Sequence, residues 1–436
     1  MLTTRELIVK LLSNFGGRKE VDQYLKQFAK VEQKRFAVIK VGGRLLADEL
    51  EALATSLNFL HQVGLTPVVV HGAGPQIAAG FAEAGIDADD WAQRTSPRAL
   101  EVVRRVFRRE NLRLVDMLEE MGARGRPIVG GVFEAELDGP RARLTRVHTD
   151  AIESSIRAGY MPVLASLGET AGGQIVDLGP DLAVTALALL LQPYKIVLLR
   201  AAGGLRDEFG DILSAINLAE DYEPLLHEPW VDAPTRHKLA LTHELLDQLP
   251  RTSSVSITSP ELLARELFTH KGSGTLVRRG ERITLHEALA TVDRPRLADL
   301  LTAAFGRPPV ADYFERKQFW RIYLADSYRA GAVLTHAGPV PYLDKFAVTG
   351  EAQGEGIGGS LWQRLARDVP RLYWRARTDN PINPWYFQRA DGSYTRGPWT
   401  VFWTGLAEFP EIQDCIERAL AEPPTLEPAH SLGGAE

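Results

Sequence analysis

Two groups of residues in the last third of the chain have types and spacings that suggest chemistry, and the first is a glycine-rich loop. The loop Gln353–Gly359 (QGEGIGG) follows the extended apolar run Tyr342–Val348 and precedes a helical pattern that includes Leu361 and Leu365. In such a strand–loop–helix unit, glycines let backbone N–H groups converge on one point, and the helix N-terminus adds partial positive charge. The pattern predicts an anion-binding site, although a tight turn would use the same glycines.

The second group is a set of cationic and amide side chains beyond that helix. Arg375 and Arg377 alternate along an extended run and so share one face of a strand, and Lys345 stands in the strand before the loop. Two guanidiniums and an ammonium can hold carboxylates through charge-assisted hydrogen bonds. A surface ion pair explains either arginine alone, but the pair with Asn380 close behind favours a carboxylate site. The Tyr386 hydroxyl is a candidate proton donor, with a core aromatic as an equal alternative.

The loop and the cationic side chains need a sheet to position them, and the amino-acid composition changes in the part of the chain that contains them. Six of the eight tryptophans follow residue 313, together with short extended runs, which predicts an α+β domain there. Between residues 36 and 258, near-continuous apolar runs alternate instead with helical patterns, which is typical of a parallel sheet covered on both faces. Ligands bind at the carboxyl ends of such strands, where Lys40–Gly43 and His71–Gly74 stand.

Length and composition restrict the class of protein. The chain has 436 residues, 45% of them hydrophobic and 24% charged, which fits a soluble protein of two or three domains. The net charge of −6 argues against nucleic acid or an anionic membrane as a partner, and no apolar run reaches the roughly 20 residues of a membrane span. The single cysteine, Cys415, excludes an internal disulfide framework and, with no signal peptide visible, predicts a cytoplasmic location.

The glycine-rich loop resembles the pyrophosphate loop of the GCN5-related acetyltransferases, because Gln353, Gly356 and Gly358 match its Gln/Arg-x-x-Gly-x-Gly/Ala pattern. Together with LDKFAV, WRAR and NPINPWYF, it resembles the acetyltransferase domain of the N-acetylglutamate synthase family over about residues 313–410. The resemblance implies acetyl-CoA as the donor and L-glutamate as the acceptor.

The resemblance also implies two sets of site residues in this domain. The set for glutamate is Lys345, Arg377 and Asn380, with Tyr386 as a catalytic residue near the reacting sulfur. The set for acetyl-CoA is Phe346, Val348, Gln353, Gly354, Gly356, Gly358 and Gly359. No general base is identifiable among the residues of these motifs, so a water relay and a side chain both remain open.

The first part of the chain resembles the amino-acid kinase family, and the acetylglutamate kinases within it, through the KVGG and HGAG motifs at strand ends. The resemblance implies sites for ATP phosphates and for acetylglutamate, with ATP and magnesium relevant only if the kinase is active. The implied residues are Lys40, Gly42, Gly43, Gly72, Ala73, Gly74, Arg94, Asp181 and Lys238. Cations and N–H groups of this kind are what phosphoryl transfer requires.

Several positions depart from the kinase family's pattern. Asp177 and Pro180 stand where the family has asparagine and alanine, so Asp177 would repel the substrate's carboxylate and Pro180 lacks an N–H donor. Arg200 begins the pair that replaces Ser-Asp after the fifth strand, and Ala233–Thr235 replaces the Gly-Gly before Lys238. Together these changes predict weakened or absent kinase activity.

The N-terminal arm resembles the mobile helix of arginine-sensitive members of these families, and residues 270–276 resemble the loop that encloses free L-arginine with it. The residues implied to bind arginine are Tyr24, His270, Gly272 and Gly274. As a compatible alternative, Tyr24 packs in an oligomer contact and the loop is a turn. In these families the helix also builds a dimer of dimers, which implies a homo-oligomer, a tetramer.

The predicted fold is α/β: an amino-acid-kinase-like parallel sheet sandwiched by helices, plus a C-terminal α+β GCN5-related acetyltransferase domain. The predicted boundaries are 1–32 for an N-terminal helical arm, 33–283 for the kinase-like domain, 284–420 for the acetyltransferase domain and 421–436 for a disordered tail. The favoured function is arginine-regulated synthesis of N-acetylglutamate in arginine biosynthesis. A bifunctional synthase/kinase is the first alternative, and a non-catalytic arginine sensor, disfavoured by the intact motifs, is the second. No metal site is predicted in the protein itself.

Overall fold

The computed structural model describes residues 36–138, 141–268, 274–336, 338–352 and 355–428. The chain divides into two compact units between Arg279 and Gly280, four residues before the boundary expected at 283/284. The predicted arm, residues 1–32, lies outside the described residues.

The first unit contains an eight-stranded sheet and a four-stranded sheet. Its strands are β1 (Ala37–Val41), β2 (Val68–His71), β3 (Gly125–Ile128), β4 (Phe133–Asp138), β5 (Arg141–Val147), β6 (Met161–Ala165), β7 (Leu167–Glu169), β8 (Ile175–Asp177), β9 (Lys195–Leu199), β10 (Ala215–Asn217), β11 (Ser254–Thr258) and β12 (Thr275–Arg278). The larger sheet has the order β10-β12-β11-β9-β1-β2-β6-β3, and the smaller has the order β5-β4-β7-β8. Every neighbouring pair in the larger sheet is parallel except β11 and β12, so the predicted parallel sheet is confirmed.

Helices cover both faces of the larger sheet. They are α1 (Gly43–Asp48), α2 (Leu50–Gln62), α3 (Gly74–Ala84), α4 (Trp91–Arg94), α5 (Pro97–Glu120), α6 (Asp150–Arg157), α7 (Gly179–Leu191), α8 (Leu218–His227), α9 (Ala233–Gln248) and α10 (Leu263–Phe268). Ile39 packs with Leu53 of α2 on one face, and the adjacent Val38 packs with Leu187 of α7 on the other. Because successive strand residues point to opposite faces and both faces are buried, the central strands are mostly apolar, with polar exceptions such as Lys40 of β1 and Lys195 of β9.

The second unit is a seven-stranded sheet with helices, as the predicted α+β domain requires. Its strands are β13 (Ile283–His286), β14 (Phe319–Ala325), β15 (Ala330–His336), β16 (Pro341–Val348), β17 (Leu372–Arg377), β18 (Gly392–Arg396) and β19 (Trp399–Thr404). Its helices are α11 (Arg294–Phe305), α12 (Tyr313–Arg316), α13 (Ile357–Asp368), α14 (Asn383–Phe387) and α15 (Phe409–Ala421), with a 3₁₀ turn at Leu289–Thr291. Across the described residues of both units, no helix combines the length and apolar character that crossing a membrane requires.

The sheet of the second unit opens between its only parallel pair of strands. The order is β13-β14-β15-β16-β17-β19-β18, and β16 pairs with β17 at two positions, Tyr342 with Tyr373 and Leu343 with Trp374. Both strands continue beyond that point, β16 to Val348 and β17 to Arg377, without pairing to each other. The gap leaves backbone N–H and C=O groups along the inner edge of β16 without a strand partner, which makes them available to a ligand.

Residues 422–428 correct the sequence-based prediction of a disordered tail from residue 421. The segment follows α15 and pairs with the chain before α12: Val310 N donates to Thr425 O at 3.2 Å, and Glu427 N donates to Pro308 O at 2.9 Å. An isolated bridge joins Pro309 to Leu426. The prediction was wrong here because proline- and glutamate-rich composition reports only local tendencies, whereas this segment is held by acceptors and cations far away in sequence.

Candidate active site

The glycine-rich loop ends at the N-terminus of α13 and leaves it open to a ligand. Gly356, the residue before the helix, has φ +86°, a left-handed conformation that favours glycine. No side chain caps this helix end, and no acidic residue stands in its first turn. A Cβ on Gly358 would approach Val348 Cγ2 to 3.1 Å, whereas a Cβ on Gly359 would meet no protein atom within 4 Å. The predicted anion site therefore has free space at a helix N-terminus.

Arg329 holds this loop in place by binding Glu355. Arg329, at the start of β15, donates to both carboxylate oxygens of Glu355, at 3.0 and 2.8 Å, and also binds the Glu281 carboxylate. The hydrogen bond to Glu355 is the main cause that raises the pKa of Arg329, so the guanidinium stays charged. Sequence analysis missed Arg329 because it lies before the motifs in sequence and no local pattern marks it. Gln353 and Gly354 of the predicted set lie outside the described residues.

Lys345 lies in a buried charge network that a β-bulge creates. Val333 pairs with Lys345 and Leu334 pairs with Leu343, so Asp344 is an extra residue in β16. Lys345 Nζ donates to Asp344 Oδ2 at 2.6 Å, and Lys317 Nζ lies 3.2 Å from Asp344 Oδ1.

The network holds one ionised carboxylate between two ammonium groups. Burial alone would raise the pKa of Asp344, but the charges of Lys345 and Lys317, with hydrogen bonds from Lys345 and Tyr313, lower it to about 2. Burial lowers the pKa of Lys345, and Asp344 opposes that effect. Asp344 and Lys317 were missed by the sequence analysis, because strict alternation would direct Asp344 away from Lys345.

Arg375 and Arg377 share one face of β17, as predicted, but they do different things. Arg375 NH1 donates to Ala419 O at 2.6 Å, at the C-terminus of α15, and its guanidinium lies 4.0 Å from the centre of the Trp399 ring. Arg377 is 54% exposed in its side chain, and its closest acidic partner is Asp379 at 3.6 Å. Arg375 is thus engaged by the fold, whereas Arg377 is available to a solvent-borne carboxylate.

A turn after β17 presents Asn380. Its backbone N donates to Arg377 O at 3.0 Å, and its side-chain oxygen accepts from Ile382 N at 3.2 Å. Asn383 fixes the same turn by donating from Nδ2 to Arg377 O at 2.7 Å and to Thr378 O at 3.2 Å. The turn therefore keeps Asn380 next to Arg377, and the Asn380 side-chain oxygen is used by the turn itself.

Tyr386 and Phe346 belong to an aromatic cluster on the opposite face of the sheet. The Tyr386 ring lies 5.5 Å from Trp374 and 5.6 Å from Trp385, and Phe346 stacks on Trp385 at 5.4 Å. Burial raises the pKa of Tyr386, so its hydroxyl is protonated at neutral pH. Among the described residues this hydroxyl has no hydrogen-bond partner, which leaves its proton available to a reacting group.

The gap between β16 and β17 joins these two faces. Lys345 and Arg377 lie on the face that α15 covers, and Tyr386 lies on the face that α13 and α14 cover. A substrate lying in the gap reaches cations on one side, a phenol on the other and unpaired backbone groups of β16 between them. This arrangement suits transfer of an acyl group to an amine whose carboxylates are held by cations.

In the first unit, the predicted kinase-like residues meet at the carboxyl ends of β1 and β2. Lys40 forms an ion pair with Asp181 Oδ1 in the first turn of α7. A Cβ on Gly43 would lie 2.9 Å from Ala73 Cα, and a Cβ on Gly72 would lie 2.9 Å from Pro180 Cδ, so both glycines are required by close packing. Gly42 precedes α1, and Ala73 and Gly74 stand at the start of α3.

Arg200 adds a third cation to Lys40 and Lys238 at this edge of the sheet. It directly follows β9, whose Leu198 pairs with Lys40. Burial lowers the pKa of Lys238, as do the charges of Arg200 and Lys40, and Asp181 and Asp232 act in the opposite direction. Arg200 was predicted from the sequence to weaken the kinase site, yet its charge adds to a group of cations that suits a polyanion.

Arg94 faces Asp177 at the other side of the same crevice. Partial desolvation by the surrounding protein raises the pKa of Asp177, although its side chain remains in contact with solvent. The Gly179 N–H and the charge of Arg94 lower this pKa in opposition. The guanidinium expected to hold a substrate carboxylate thus has a protein carboxylate nearby. Pro180 costs α7 no intrahelical hydrogen bond, because it stands in the first turn, where N–H groups have no helical partner.

Gly274 is the one predicted arginine-binding residue within the described part of the chain; Tyr24, His270 and Gly272 lie outside it. Gly274 N donates to Glu266 Oε2 at 2.9 Å. Burial and the charge of Arg278 lower the pKa of Lys195 and Glu266 opposes them, so that the pKa is about 7. Within the described residues, buried hydroxyls without hydrogen-bond partners line β11, the strand that pairs with β9, at Ser254, Ser256 and Thr258.

Comparisons with known proteins agree with both units. A family model described as N-acetyltransferase of N-acetylglutamate synthase matches residues 284–422, and the amino acid kinase family model matches residues 35–258. Acetylglutamate kinase of Xylella fastidiosa (strain 9a5c) is 46% identical over 94% of this chain and 99% of its own length. The mitochondrial N-acetylglutamate synthase of Homo sapiens is 35% identical over 93% of this chain and 76% of its own length.

Solved structures show the same fold. N-acetylglutamate synthase from Neisseria gonorrhoeae, complexed with coenzyme A and N-acetyl-glutamate, matches with a TM-score of 0.63 and 20% identity over 89% of this chain and 98% of that chain. The same synthase complexed with coenzyme A and L-arginine matches with a TM-score of 0.51, also at 20% identity. The chain therefore belongs to the amino acid kinase family and, over nearly its whole length, to the acetylglutamate kinases and N-acetylglutamate synthases that carry this acetyltransferase domain.

Proposed function

We propose that the protein transfers the acetyl group of acetyl-CoA to the amine of L-glutamate and so is an N-acetylglutamate synthase. The observation that carries the proposal is the gap between β16 and β17, which has an open helix N-terminus near one end and the exposed guanidinium of Arg377 on one face. The matching N-acetyltransferase family and the human relative support glutamate and acetyl-CoA as the substrates.

Acetyl-CoA binding is supported by the geometry around α13. A pyrophosphate at the helix N-terminus would accept from N–H groups of the first turn and gain from the helix dipole. Gly356 and Gly358 permit the loop to bend and to pack on Val348, and Gly359 leaves room for the ligand. Phe346 and Val348 in β16 are expected beside the pantetheine arm that enters the gap.

Glutamate binding is assigned to Arg377, Asn380 and Lys345. Fixing both carboxylates would hold the amine next to the thioester and convert a bimolecular step into a local one. The amine nitrogen then attacks the thioester carbon, the N–C bond forms, and an N–H group of β16 stabilises the oxyanion. The C–S bond breaks, Tyr386 donates its proton to the departing thiolate, and the amine's proton leaves to water.

The test is Arg377→Ala, with Arg396→Ala as a matched control because Arg396 is also an exposed arginine in the same sheet. Removing a charged hydrogen-bond donor from a carboxylate costs about 1.5–3 kcal/mol, so KM for glutamate should rise by about one to two orders of magnitude. KM for acetyl-CoA should stay near wild type, and the control should leave both unchanged. If both KM values of Arg377→Ala equal those of wild type, this assignment of the carboxylate site is wrong.

A second candidate function is phosphorylation of N-acetylglutamate by ATP in the first unit. It is favoured by the clustering of Lys40, Lys238 and Arg200 around Asp181, and by the Xylella fastidiosa relative named acetylglutamate kinase. The substitutions near Arg94 and Asp177 argue against it. Purified protein incubated with ATP, magnesium and N-acetylglutamate decides the matter: an acyl-phosphate, trapped as a hydroxamate, establishes the kinase, and its absence leaves the synthase alone.

We further propose L-arginine as an effector that binds beside Gly274, and a homo-tetramer as the assembly. The Glu266 carboxylate is suited to a guanidinium, the Lys195 ammonium to an α-carboxylate, and the unpartnered hydroxyls of β11 to further hydrogen bonds. Synthase activity titrated with arginine should change in wild type and respond less in Lys195→Met. Activity that is unchanged at saturating arginine contradicts the effector proposal, and light scattering tests the assembly.

A further inference from the structure

The segment that follows α15, residues 422–427, lies over the lysines of the candidate glutamate site. Its backbone is held at Val310 and Pro308, as described for the fold. From that position the Glu422 carboxylate forms an ion pair with Lys317, and Thr425 Oγ1 accepts a hydrogen bond from Lys345 Nζ at 2.6 Å. We call residues 422–427 the C-terminal strap.

Two arginines bind the strap and its helix as well. Arg316 NH2 donates to Pro424 O at 3.0 Å. Arg375 NH1 donates to Ala419 O at 2.6 Å, and Arg375 NH2 donates to Pro423 O at 3.4 Å. Four cationic side chains therefore bind acceptors of this short stretch: Arg316, Lys317, Lys345 and Arg375.

Each of the two lysines under the strap already has a carboxylate partner. Lys317 and Lys345 are 8% and 5% exposed, and the carboxylates beside them belong to Asp344, 3% exposed, and Glu422, 18% exposed. A third carboxylate brought by a substrate would meet two lysines that already have anionic partners. Placing an extra negative charge in so enclosed a place is unfavourable unless one resident carboxylate leaves.

Asp344 and Glu422 differ in how easily they can leave. Asp344 is fixed in β16 by the bulge and accepts from Lys345 and from Tyr313, whose hydroxyl donates at 2.7 Å. Glu422 lies just beyond α15, on a short segment outside the sheet that is held by a few backbone hydrogen bonds, a single bridge and the four cations named above. Release of the strap would expose Lys317 and Lys345 without disturbing the sheet.

We infer that the strap competes, within the molecule, with a carboxylate of the amino-acid substrate, through Glu422 at Lys317 and Thr425 at Lys345, and so sets the enzyme's affinity for that substrate. The inference rests on the proposed acetyltransferase function. Binding of glutamate displaces the Glu422 carboxylate and loosens the strap, and product release lets it return.

The test is steady-state kinetics of Glu422→Gln, with Glu417→Gln as the control because Glu417 is an exposed glutamate of α15. Neutralising the competitor should lower KM for L-glutamate about tenfold, the equivalent of one charged contact, and leave KM for acetyl-CoA and kcat within twofold. Thr425→Val, which removes the acceptor at Lys345, should lower KM for glutamate in the same direction. Unchanged or higher KM for glutamate in both variants overturns the inference.

A second readout separates this inference from the proposed function. Hydrogen exchange of the wild-type C-terminal peptide should become faster when L-glutamate is added, because the Glu427 amide loses its acceptor at Pro308 O as the strap is released. Slower exchange would make the strap a lid that closes on substrate and would overturn the inference. A wild-type protein that releases no CoA from acetyl-CoA and glutamate contradicts the proposed function instead, whatever the variants do.

Discussion

Asp344 Oδ2 accepts a hydrogen bond from Lys345 Nζ at 2.6 Å although the two residues are consecutive in one β-strand. Consecutive strand residues ordinarily point to opposite faces, and the bulge in β16 removes that alternation here. The contact gathers a carboxylate and an ammonium beside the gap between β16 and β17. It also brings Asp344 next to Lys317, which pairs in turn with the strap's Glu422.

Asp344→Asn should destabilise the second unit. The substitution removes the carboxylate between two buried lysines, and breaking a buried pair on one side costs about 3–5 kcal/mol. Urea unfolding followed by tryptophan fluorescence measures the effect on this unit, because six of the eight tryptophans lie in it. Glu417→Gln, on the surface of α15, serves as the control and should change little.

The difference in unfolding free energy between wild type and Asp344→Asn should depend on pH. The pKa of Asp344 is lowered to about 2 from 3.8, so its stabilising contribution is complete above the unfolded pKa and is lost as the pH falls through the folded one. The advantage of wild type over Asp344→Asn should shrink by about 1 kcal/mol between pH 6 and pH 3. An advantage that is constant over this range would mean that Asp344 is not held ionised by its lysines.

Alanine substitutions at Gly356 and Gly359 should distinguish an effect on folding stability from an effect on acetyl-CoA binding. Gly356→Ala forces a Cβ into a left-handed conformation at a cost of roughly 1–2 kcal/mol, so it should lower the melting temperature and raise KM for acetyl-CoA. Gly359→Ala meets no protein atom within 4 Å and should leave the melting temperature unchanged while still raising KM for acetyl-CoA. Unchanged KM in Gly359→Ala would show that no ligand approaches this end of α13.

Arg329→Gln should weaken acetyl-CoA binding by leaving a carboxylate unpaired. Glu355 then stands next to the α13 N-terminus without its guanidinium and repels a pyrophosphate there, so KM for acetyl-CoA should rise about tenfold. KM for glutamate should stay the same.

The double variant Arg329→Gln/Glu355→Gln is the matched test of this reason. It removes the repelling charge together with its partner, so it should recover most of the lost affinity for acetyl-CoA. A double variant no better than the single one would mean that Arg329 acts on the ligand or on Glu281 rather than through Glu355.

Arg200→Gln should reduce binding of a polyphosphate to the first unit. The three cations Lys40, Lys238 and Arg200 repel one another, as the lowered pKa of Lys238 reflects in part, and a polyanion relieves that repulsion. ATP should raise the melting temperature of wild type, and its apparent Kd should rise about tenfold in the variant. Arg157→Gln, an exposed arginine at the end of α6, is the control and should bind ATP as wild type does.

Local pattern was enough to predict most of the fold. Apolar runs between residues 36 and 258 became strands of a parallel sheet, because a strand buried on both faces favours apolar residues at most of its positions. The glycines before α13 became an open helix N-terminus, because the left-handed conformation found at Gly356 favours glycine. Arg375 and Arg377 share a face because alternation along a regular strand is a property of the backbone itself.

The tertiary structure decided what those side chains do. Arg375 became a donor to carbonyls at the end of α15, whereas Arg377, two residues later, remained exposed. Residues 422–428 became ordered because groups far away in sequence bind them, among them Arg316, which lies 108 positions before Pro424, and Lys345, which lies 80 positions before Thr425. Such partners leave no mark in the local pattern.

The sequence by itself therefore determined the two folds, their order and the helix end at which an anion is expected, since these depend on short-range periodicity and on glycine stereochemistry. Only the tertiary structure decided which cations remain available, that Arg329 holds the loop, and that Glu422 stands at the lysines of the candidate glutamate site. The physical reason is that charge partners are chosen by distance in space, and a single bulge at Asp344 is enough to reverse the face predicted from sequence.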